Sequence, residues 1–402
     1  MGVHTPSKTV EAGRRGPDVR SDCWVRITHA ASGALEVDLQ SRVESLYGES
    51  TRELISQELK ALGLQHAKVE MEDSGALPFV ITARVEAAAR RLGIDVREGY
   101  VPDFAAGTQY GSGRERFRRS RLYLPGNEPK FMLNAGLHWP DGVILDLEDS
   151  VAPAEKDAAR LLVRNALRAV DFHGSERMVR INQGDLGMED LDQIVPHNLH
   201  VVLVPKVESV ERIQLVDQRI RKILRAHKLS AEVFLMPIVE SALGVIRAYE
   251  IASASPNIVA LAIGLEDYTA DIGVERTKEG RESSWARAQI VNAARAAGVQ
   301  PIDTVFSDVG DMEGLRQSVL EAKSLGFDGK GCIHPRQIAV VHEGFAPSTQ
   351  ELEQARRIVE AFEQAQAKGL AAVSLGSKMI DPPVVKRAQR VVRLAESMGN
   401  KV

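Results

Sequence analysis

Val233–Glu240 reads VFLMPIVE and, after an intervening helical segment, Ile258–Asp267 reads IVALAIGLED. Each is a short, near-continuous apolar run of the kind that forms a strand covered on both faces. Each also ends in acid: Glu240 in the first, Glu266 and Asp267 in the second. A carboxylate at the exit of a buried parallel strand stands where α/β barrels place their chemistry. Two readings are open here. Two carboxylates from neighbouring strands, with oxygen donors only, suit a hard divalent ion such as Mg²⁺. Acidic residues also cap the helix that follows a strand.

Working outward, the same strand–helix alternation runs from Arg118 to Pro335. The strand candidates are RLYLP, GVILDLED, MVRIN, VVLVPKV, VFLMPIVE, VALAIGLED, PIDTVF and KGCIHP, with helical segments such as EKDAARLLVRNALRAV between them. Eight βα units predict a (β/α)₈ TIM barrel over 118–345 rather than an open doubly wound sheet. Residues 346–402 read as a helical extension that could pack beneath the barrel or reach a neighbouring subunit, with Ser348 or Thr349 capping its first helix. Upstream, 94–117 has no periodicity and four glycines, and reads as a flexible linker spanning about 25–30 Å. Its arginines, from Arg114 to Arg121, read as a solvated face or as contacts for phosphates. Residues 21–93 form a small α+β domain: CWVRIT and ALEVDL as strands joined by a Ser-Gly turn, a helix ending at Gly63, the strand AKVEMED, and LPFVITARVEAAARR beginning as strand and finishing as helix. Residues 1–20 are polar and read as a disordered tail.

The chain has 402 residues, 44% of them hydrophobic, and a net charge of −4. That charge gives no footprint for nucleic acid or a membrane surface. The two cysteines, Cys23 and Cys332, form neither a CxxC nor a zinc pattern, and the expected compartment is the reducing cytoplasm. No apolar run reaches membrane-spanning length.

The strand ends gather an unusually polar set: Tyr123 with Lys130 beyond it, then Asp146, Glu148 and Asp149, Arg180 and Asn182, Lys206 and Glu208, Glu240, Asp267, Asp303 and His334. So many carboxylates repel one another unless a cation is bound, which favours the metal reading for Glu240 and Asp267. Arg180 either pairs with Asp146 or Glu148 across the mouth or offers its fork to a substrate carboxylate. Lys206 stands where barrel aldolases carry an imine-forming lysine, although a metal would make an imine redundant. His334 is a core histidine or a ligand contact.

RRSRLYLPGNEPK, DGVILDLEDSVAPAEKDAAR, MVRIN, VPKVES, PIVESALG, AIGLEDY and FDGKGCIHPRQI together resemble the citrate lyase beta-subunit family, among the malyl-, citramalyl- and related acyl-thioester lyases. The resemblance runs from about Arg118 to Arg390. It implies a TIM barrel, often trimeric, with Mg²⁺ on Glu240 and Asp267 and the substrate carboxylate on Arg180. It further implies that Tyr123, Lys130, Ile333 and His334 meet a coenzyme A thioester, and that Glu148 and Asp149 orient metal-bound water. Asp381, in MIDPP, corresponds to a catalytic acid/base brought over the mouth by a neighbouring subunit.

YGESTRELISQELKALGL and MEDSGALPFVITARVEAA resemble the acyl-carrier subunit of citrate lyase. That resemblance implies a phosphoribosyl-dephospho-coenzyme A on a serine in an E-S-x-D context. Here Ser21 and Asp22 are present, but Arg20 replaces the Glu. The implied reaction is cleavage of a citryl-carrier thioester to oxaloacetate and acetyl-carrier, with a separate acyl-transferase (alpha) subunit as a partner. The alternatives are a citramalyl- or malyl-CoA lyase using free thioesters, an aldolase of free oxo acids, and a non-catalytic scaffold subunit.

Overall fold

The computed structural model describes residues 8–93, 99–367, 373–375 and 378–399. Eight parallel strands close into a barrel: β5 (Ser120–Pro125), β6 (Gly142–Asp146), β7 (Glu176–Arg180), β8 (Val201–Val204), β9 (Phe234–Val239), β10 (Ala260–Ile263), β11 (Gln300–Asp303) and β12 (Gly329–Cys332), with β12 returning to pair with β5. Their apolar runs split by parity into two cores. Val143, Leu145, Val179, Val202, Val204, Leu235 and Leu261 face the surrounding helices. Ile144, Met178, Val201, Leu203, Met236 and Ala262 fill the lumen. Runs buried on both faces are therefore what the topology demands. Closure of the last seam requires glycine at 329, where a Cβ would stand 1.9 Å from the Arg118 carbonyl oxygen.

The N-terminal domain is a four-stranded sheet in the order β1 (Thr9–Gly13), β2 (Cys23–His29), β4 (Ala67–Asp73), β3 (Leu35–Ser41). Three expectations are corrected. Residues 9–13 are not part of a disordered tail but pair antiparallel with β2 along the sheet edge. β2 and β3 are not a hairpin: β4 lies between them, antiparallel to β2 and parallel to β3. Parallel partners need a crossover, and α1 (Glu44–Ala61) supplies it. Finally, Pro78–Arg91 is helix throughout (α2), with the proline in its first turn. Every residue from Phe79 to Ala89 is buried, because α2 is sandwiched between its own sheet and the barrel. A helix covered all round loses the amphipathic period that would identify it.

The two domains share one apolar core. α2 packs on the barrel helix Lys156–Ala169, and polar contacts pin the seam. Arg164 grips Glu86 through two bonds of 2.7 and 3.1 Å, and Asn165 donates to Phe79 O and Thr82 Oγ1. Arg91 pairs with Asp157 at 2.6 Å. Arg14 pairs with Glu128 and Glu155 beside the barrel rim.

The described part of the expected flexible linker, 99–117, is laid against the barrel floor. Tyr110 donates to Ser175 O, Arg114 to Pro256 O and Ile258 O, and Arg116 to Asp141 O and Gly174 O. Arg118 forks onto Glu176 at 2.7 Å with both side chains fully buried, and Arg119 onto Asp141 at 2.8 and 3.0 Å. The basic stretch is thus neither a solvated face nor a phosphate contact. It is the bolt between linker and floor.

In the C-terminal extension, Thr349–Ala367 and Pro382–Gly399 pack on each other and flank a hairpin of β13 (Val373–Leu375) and β14 (Lys378–Ile380). Ser348 and Glu351 form a reciprocal capping box at its start. Arg390 ties the last helix to Asp328, at the start of β12.

Candidate active site

The C-terminal ends of the barrel strands surround a cavity of about 290 Å³ whose lining includes Tyr123, Arg180, Glu240, Asp267, Asp149 and Ile333. Glu240 follows β9 directly and is 6% exposed. Its Oε2 accepts the Lys206 backbone N–H at 2.8 Å. Lys206 reaches that position with φ at +50°, a left-handed backbone that costs a non-glycine residue energy and marks a site held under constraint. Burial pushes the Glu240 carboxyl up to about 7. Gly264 clears the space beside it, since a Cβ there would lie 2.5 Å from Glu240 Oε1.

Asp267 is not on strand β10 itself, which ends at Ile263. After Gly264 the chain turns into the helix Leu265–Asp271, and both Glu266 and Asp267 occupy its first turn. Neither acid is itself a cap, since Gly264 holds that position and no side chain bonds the helix start, and the half-buried Asp267 lines the cavity. Glu266 does not point away, as strand alternation would have it. It also lines the cavity and pairs with Arg276 at 2.5 Å.

Arg180, at the end of β7, forks onto Asp146 at 2.7 and 2.8 Å. Although burial works against the ionised acid, that fork holds the Asp146 carboxyl below its ordinary range. Nη1 of Arg180 lies 2.9 Å from Glu148 Oε2 and 3.7 Å from Asp149. Glu148 Oε2 is fully buried yet makes no bond of hydrogen-bond geometry, while Oε1 accepts from Gln183. Burial raises the Glu148 carboxyl. The guanidinium sits 5.5 Å from the Tyr123 ring centre. The pairing reading of Arg180 holds with both acids: Asp146 takes its fork, and Nη1 faces Glu148 and Asp149 at the mouth.

The Lys206 ammonium is shared rather than paired, 3.5 Å from Asp267, 3.7 Å from Asp149 and 3.8 Å from Glu148. Burial disfavours its charge, but Glu148, Asp149 and Asp267 more than compensate and raise it. An oxygen-rich mouth with a buried carboxylate near neutrality, a second buried carboxylate at Glu148 and a clearing at Gly264 fits a divalent cation.

The other expected residues divide. Lys130 lies on the rim, 3.3 Å from Glu128, whereas Ile333, 39% exposed, is one of the cavity-lining residues. His334 is no core histidine: it lies at the surface, where Nδ1 accepts the Arg336 N–H. Asp303 lines the cavity, but its carboxylate is closed in a triad with Arg287 and Lys330 at 3.1 and 2.7 Å. Asp381 is exposed, accepts the Val384 N–H at the head of the last helix, and is not among the residues lining its own chain's cavity. Ser21, at φ +56°, precedes β2. Its neighbour Asp22 is gripped by Arg84 at 2.8 and 2.9 Å, and Arg84 also donates to Asn127 O, just past β5. One lining residue, Arg121, escaped the strand-end reading altogether. Its parity with Tyr123 on β5 is the signal that places it in the lumen.

The sequence model of the HpcH/HpaI aldolase/citrate lyase family matches residues 119–335, and that of the malonate decarboxylase delta subunit, an acyl-carrier family, matches 13–92. The chain is 41% identical over 285 residues to citrate lyase subunit beta of Haemophilus influenzae, covering 70% of this chain and 98% of that one. It is 36% identical over 299 residues to the mitochondrial citramalyl-CoA lyase of Rattus norvegicus, covering 71% and 88%. Among solved structures, protein CitE of Mycobacterium tuberculosis, in complex with magnesium, acetoacetate and coenzyme A, superposes with a TM-score of 0.57 at 31% identity, over 71% of this chain and all of that one.

Proposed function

The chain belongs to the HpcH/HpaI aldolase/citrate lyase family, and from that premise we propose that its barrel, a carbon–carbon lyase, splits a 3-hydroxyacyl thioester into an oxo acid and an acyl thioester. The preferred substrate is a citryl thioester, giving oxaloacetate and an acetyl thioester. The observation that carries this reading is the convergence of Glu240, Asp267 and Arg180 on one cavity. Glu240 and Asp267 would hold Mg²⁺, which when bound supplies Lewis-acid polarisation of a coordinated oxygen. Arg180, fixed by Asp146, would hold the substrate carboxylate and so set its orientation. Glu148 and Asp149 would orient water around the cation. Tyr123 would cover the inner wall, with Lys130, Ile333 and His334 along the thioester's path. Asp381 would exchange the proton of the hydroxyl or of the acyl carbon, and its distance from its own cavity means that a neighbouring copy, in a homo-oligomer such as a trimer, would deliver it.

The docked N-terminal domain supports the further reading that Ser21 carries a phosphopantetheine-type group. The Asp22–Arg84–Asn127 contacts hold Ser21 next to the loop that ends β5, so an arm attached there would start at the rim. With the linker bolted down, the arm and not the domain would travel. A partner alpha subunit would exchange the acyl group. The two buried free thiols, Cys23 and Cys332, suit a reducing cytoplasm, and among the described residues no helix is long and apolar enough to cross a membrane. The second reading, a lyase of free citramalyl- or malyl-CoA, is favoured by the 36% identity to a citramalyl-CoA lyase.

The deciding experiment is a cleavage assay on citryl-, citramalyl- and malyl-thioesters with and without Mg²⁺, on protein whose Ser21 has been weighed by intact mass spectrometry. Metal-dependent release of an oxo acid is expected. No cleavage of any of the three overturns the reading of the barrel, and an unmodified Ser21 in a host carrying the modifying enzymes overturns the carrier role alone.

A further inference from the structure

Arg121 is a charged side chain in the barrel lumen, 1% exposed, among residues that are otherwise apolar. Every other large buried arginine of the barrel wall and floor has a partner of its own: Arg118 has Glu176, Arg164 has Glu86, and Arg177 has the carbonyls of Thr108 and Tyr110. Arg121 has no carboxylate within ion-pair distance among the described residues. Its Nη1 donates to Met236 Sδ at 3.2 Å, a weak acceptor, its Nη2 reaches Asp303 O at 3.4 Å, and its Nε bonds to nothing. An uncompensated buried charge costs several kcal/mol, and burial accordingly lowers the proton affinity of this guanidinium. Asp303, the nearest acid, gives Arg121 only its backbone oxygen, because its carboxylate is consumed by Arg287 and Lys330.

Arg121 also lines the active-site cavity, one inward-facing position below Tyr123. The same cavity reaches down to it past the small side chain of Ala262, where barrels usually stack bulky branched residues. There is therefore both room beneath the mouth and a cation at the bottom of it.

We propose that Arg121 is the receptor for a second carboxylate of the substrate, a group on the oxo-acid half distinct from the carboxylate held by Arg180, and that it makes the site selective for dicarboxylic oxo acids and their thioesters over monocarboxylic ones. This rests on the lyase reading of the barrel and narrows it. A citryl thioester carries the extra carboxylate and yields oxaloacetate, whereas a citramalyl thioester has a methyl group there and yields pyruvate. A guanidinium left unpaired in the dry lumen discriminates against the methyl compound more than it attracts the acid, since a buried polar group facing an apolar substituent stays unsatisfied.

The test uses the full chain and Arg121→Met, which removes the charge and keeps most of the volume, with Arg121→Lys as the conservative variant. Calorimetric titration with oxaloacetate and with pyruvate, in Mg²⁺, reads selectivity without requiring turnover. The wild type is expected to prefer oxaloacetate by on the order of 10²-fold, with that preference lost in Arg121→Met and partly restored in Arg121→Lys. In the assay, kcat/KM for the citryl thioester should fall by a similar factor while that for the citramalyl thioester holds or rises. The thermal midpoint of Arg121→Met should stay level or rise, because an unpaired charge has been removed. An unchanged oxaloacetate-to-pyruvate ratio in a folded Arg121→Met protein overturns the proposal while leaving the lyase reading standing. Absence of all cleavage with a normal binding ratio overturns the lyase reading and leaves Arg121 as the carboxylate receptor.

Discussion

Charges at the floor and along the domain seam are closed, whereas charges at the mouth are open. At the floor and seam, Arg118–Glu176, Arg119–Asp141, Arg84–Asp22 and Arg164–Glu86 are short, buried and forked. At the mouth, Lys206 floats at 3.5–3.8 Å among three carboxylates, Glu148 Oε2 meets Arg180 Nη1 at 2.9 Å without hydrogen-bond geometry, and Arg121 faces the cavity with no acid in ion-pair distance among the described residues. The same residue types do different jobs according to whether their hydrogen-bonding capacity is spent. A spent pair specifies structure, and an unspent one is kept for something not in the chain.

The sharpest way to break that contrast is at the mouth. Asp267→Ala and Glu240→Gln should each reduce Mg²⁺-dependent cleavage by about 10³-fold or more, with the unfolding midpoint essentially unmoved. A large fall in stability would show the mouth acids to be structural after all. At the floor the outcome should invert. Arg118→Met leaves Glu176 buried without its fork and should cost about 3–5 kcal/mol in denaturant unfolding, with the remaining folded protein turning over normally. Hydrogen exchange should then show residues 99–117 losing protection.

A smaller effect comes from acid. His200 packs under the linker at 5% exposure, its Nδ1 accepting the Arg177 N–H and its Nε2 meeting Tyr110 O. Burial, and then Arg177, pull it down to about 4 from 6.5. The unfolded chain takes up that proton first as pH falls, so stability should drop between about pH 6.5 and 4, by roughly 3 kcal/mol at most. His200→Gln should flatten that part of the stability–pH curve, and an unchanged slope would assign the acid sensitivity elsewhere. Smallest is Gly264→Ala, whose methyl group would crowd Glu240 Oε1. It should weaken Mg²⁺ binding by about tenfold, read by titration, with little change in stability.

The contrast also marks what could be read from the chain beforehand. Strands such as β6, β8, β9 and β10 were legible because both of their faces are dry, which turns each into an apolar word bounded by turns, whereas β11 (QPID) and β12 (GKGC) were legible by their place in the alternation. Glu240 and Arg180 were legible as the polar residue closing such a word. The β2–β3 connection was not, because a strand that leaves for a parallel partner looks locally the same as one that turns into a hairpin. The linker arginines were illegible for a different reason. Glu176 and Asp141, which make them structural, lie 58 and 22 residues along the chain from Arg118 and Arg119, and no local pattern encodes that pairing. Arg121 sits in the same basic run, and only the side of β5 on which it falls separates it from its neighbours.

The common core of the two domains bears on how the chain is made. Synthesis runs from the N-terminus, so α2 leaves the ribosome with its barrel-facing side bare, and the helix that covers it, Lys156–Ala169, is about 70 residues behind. At roughly 5–20 residues per second, that surface, with Thr82 and Glu86 on it, waits several seconds for its cover. The small domain can complete its sheet in that interval but cannot finish its core. It is born dependent on the barrel, and a truncation ending before Lys156 would present the nascent state permanently.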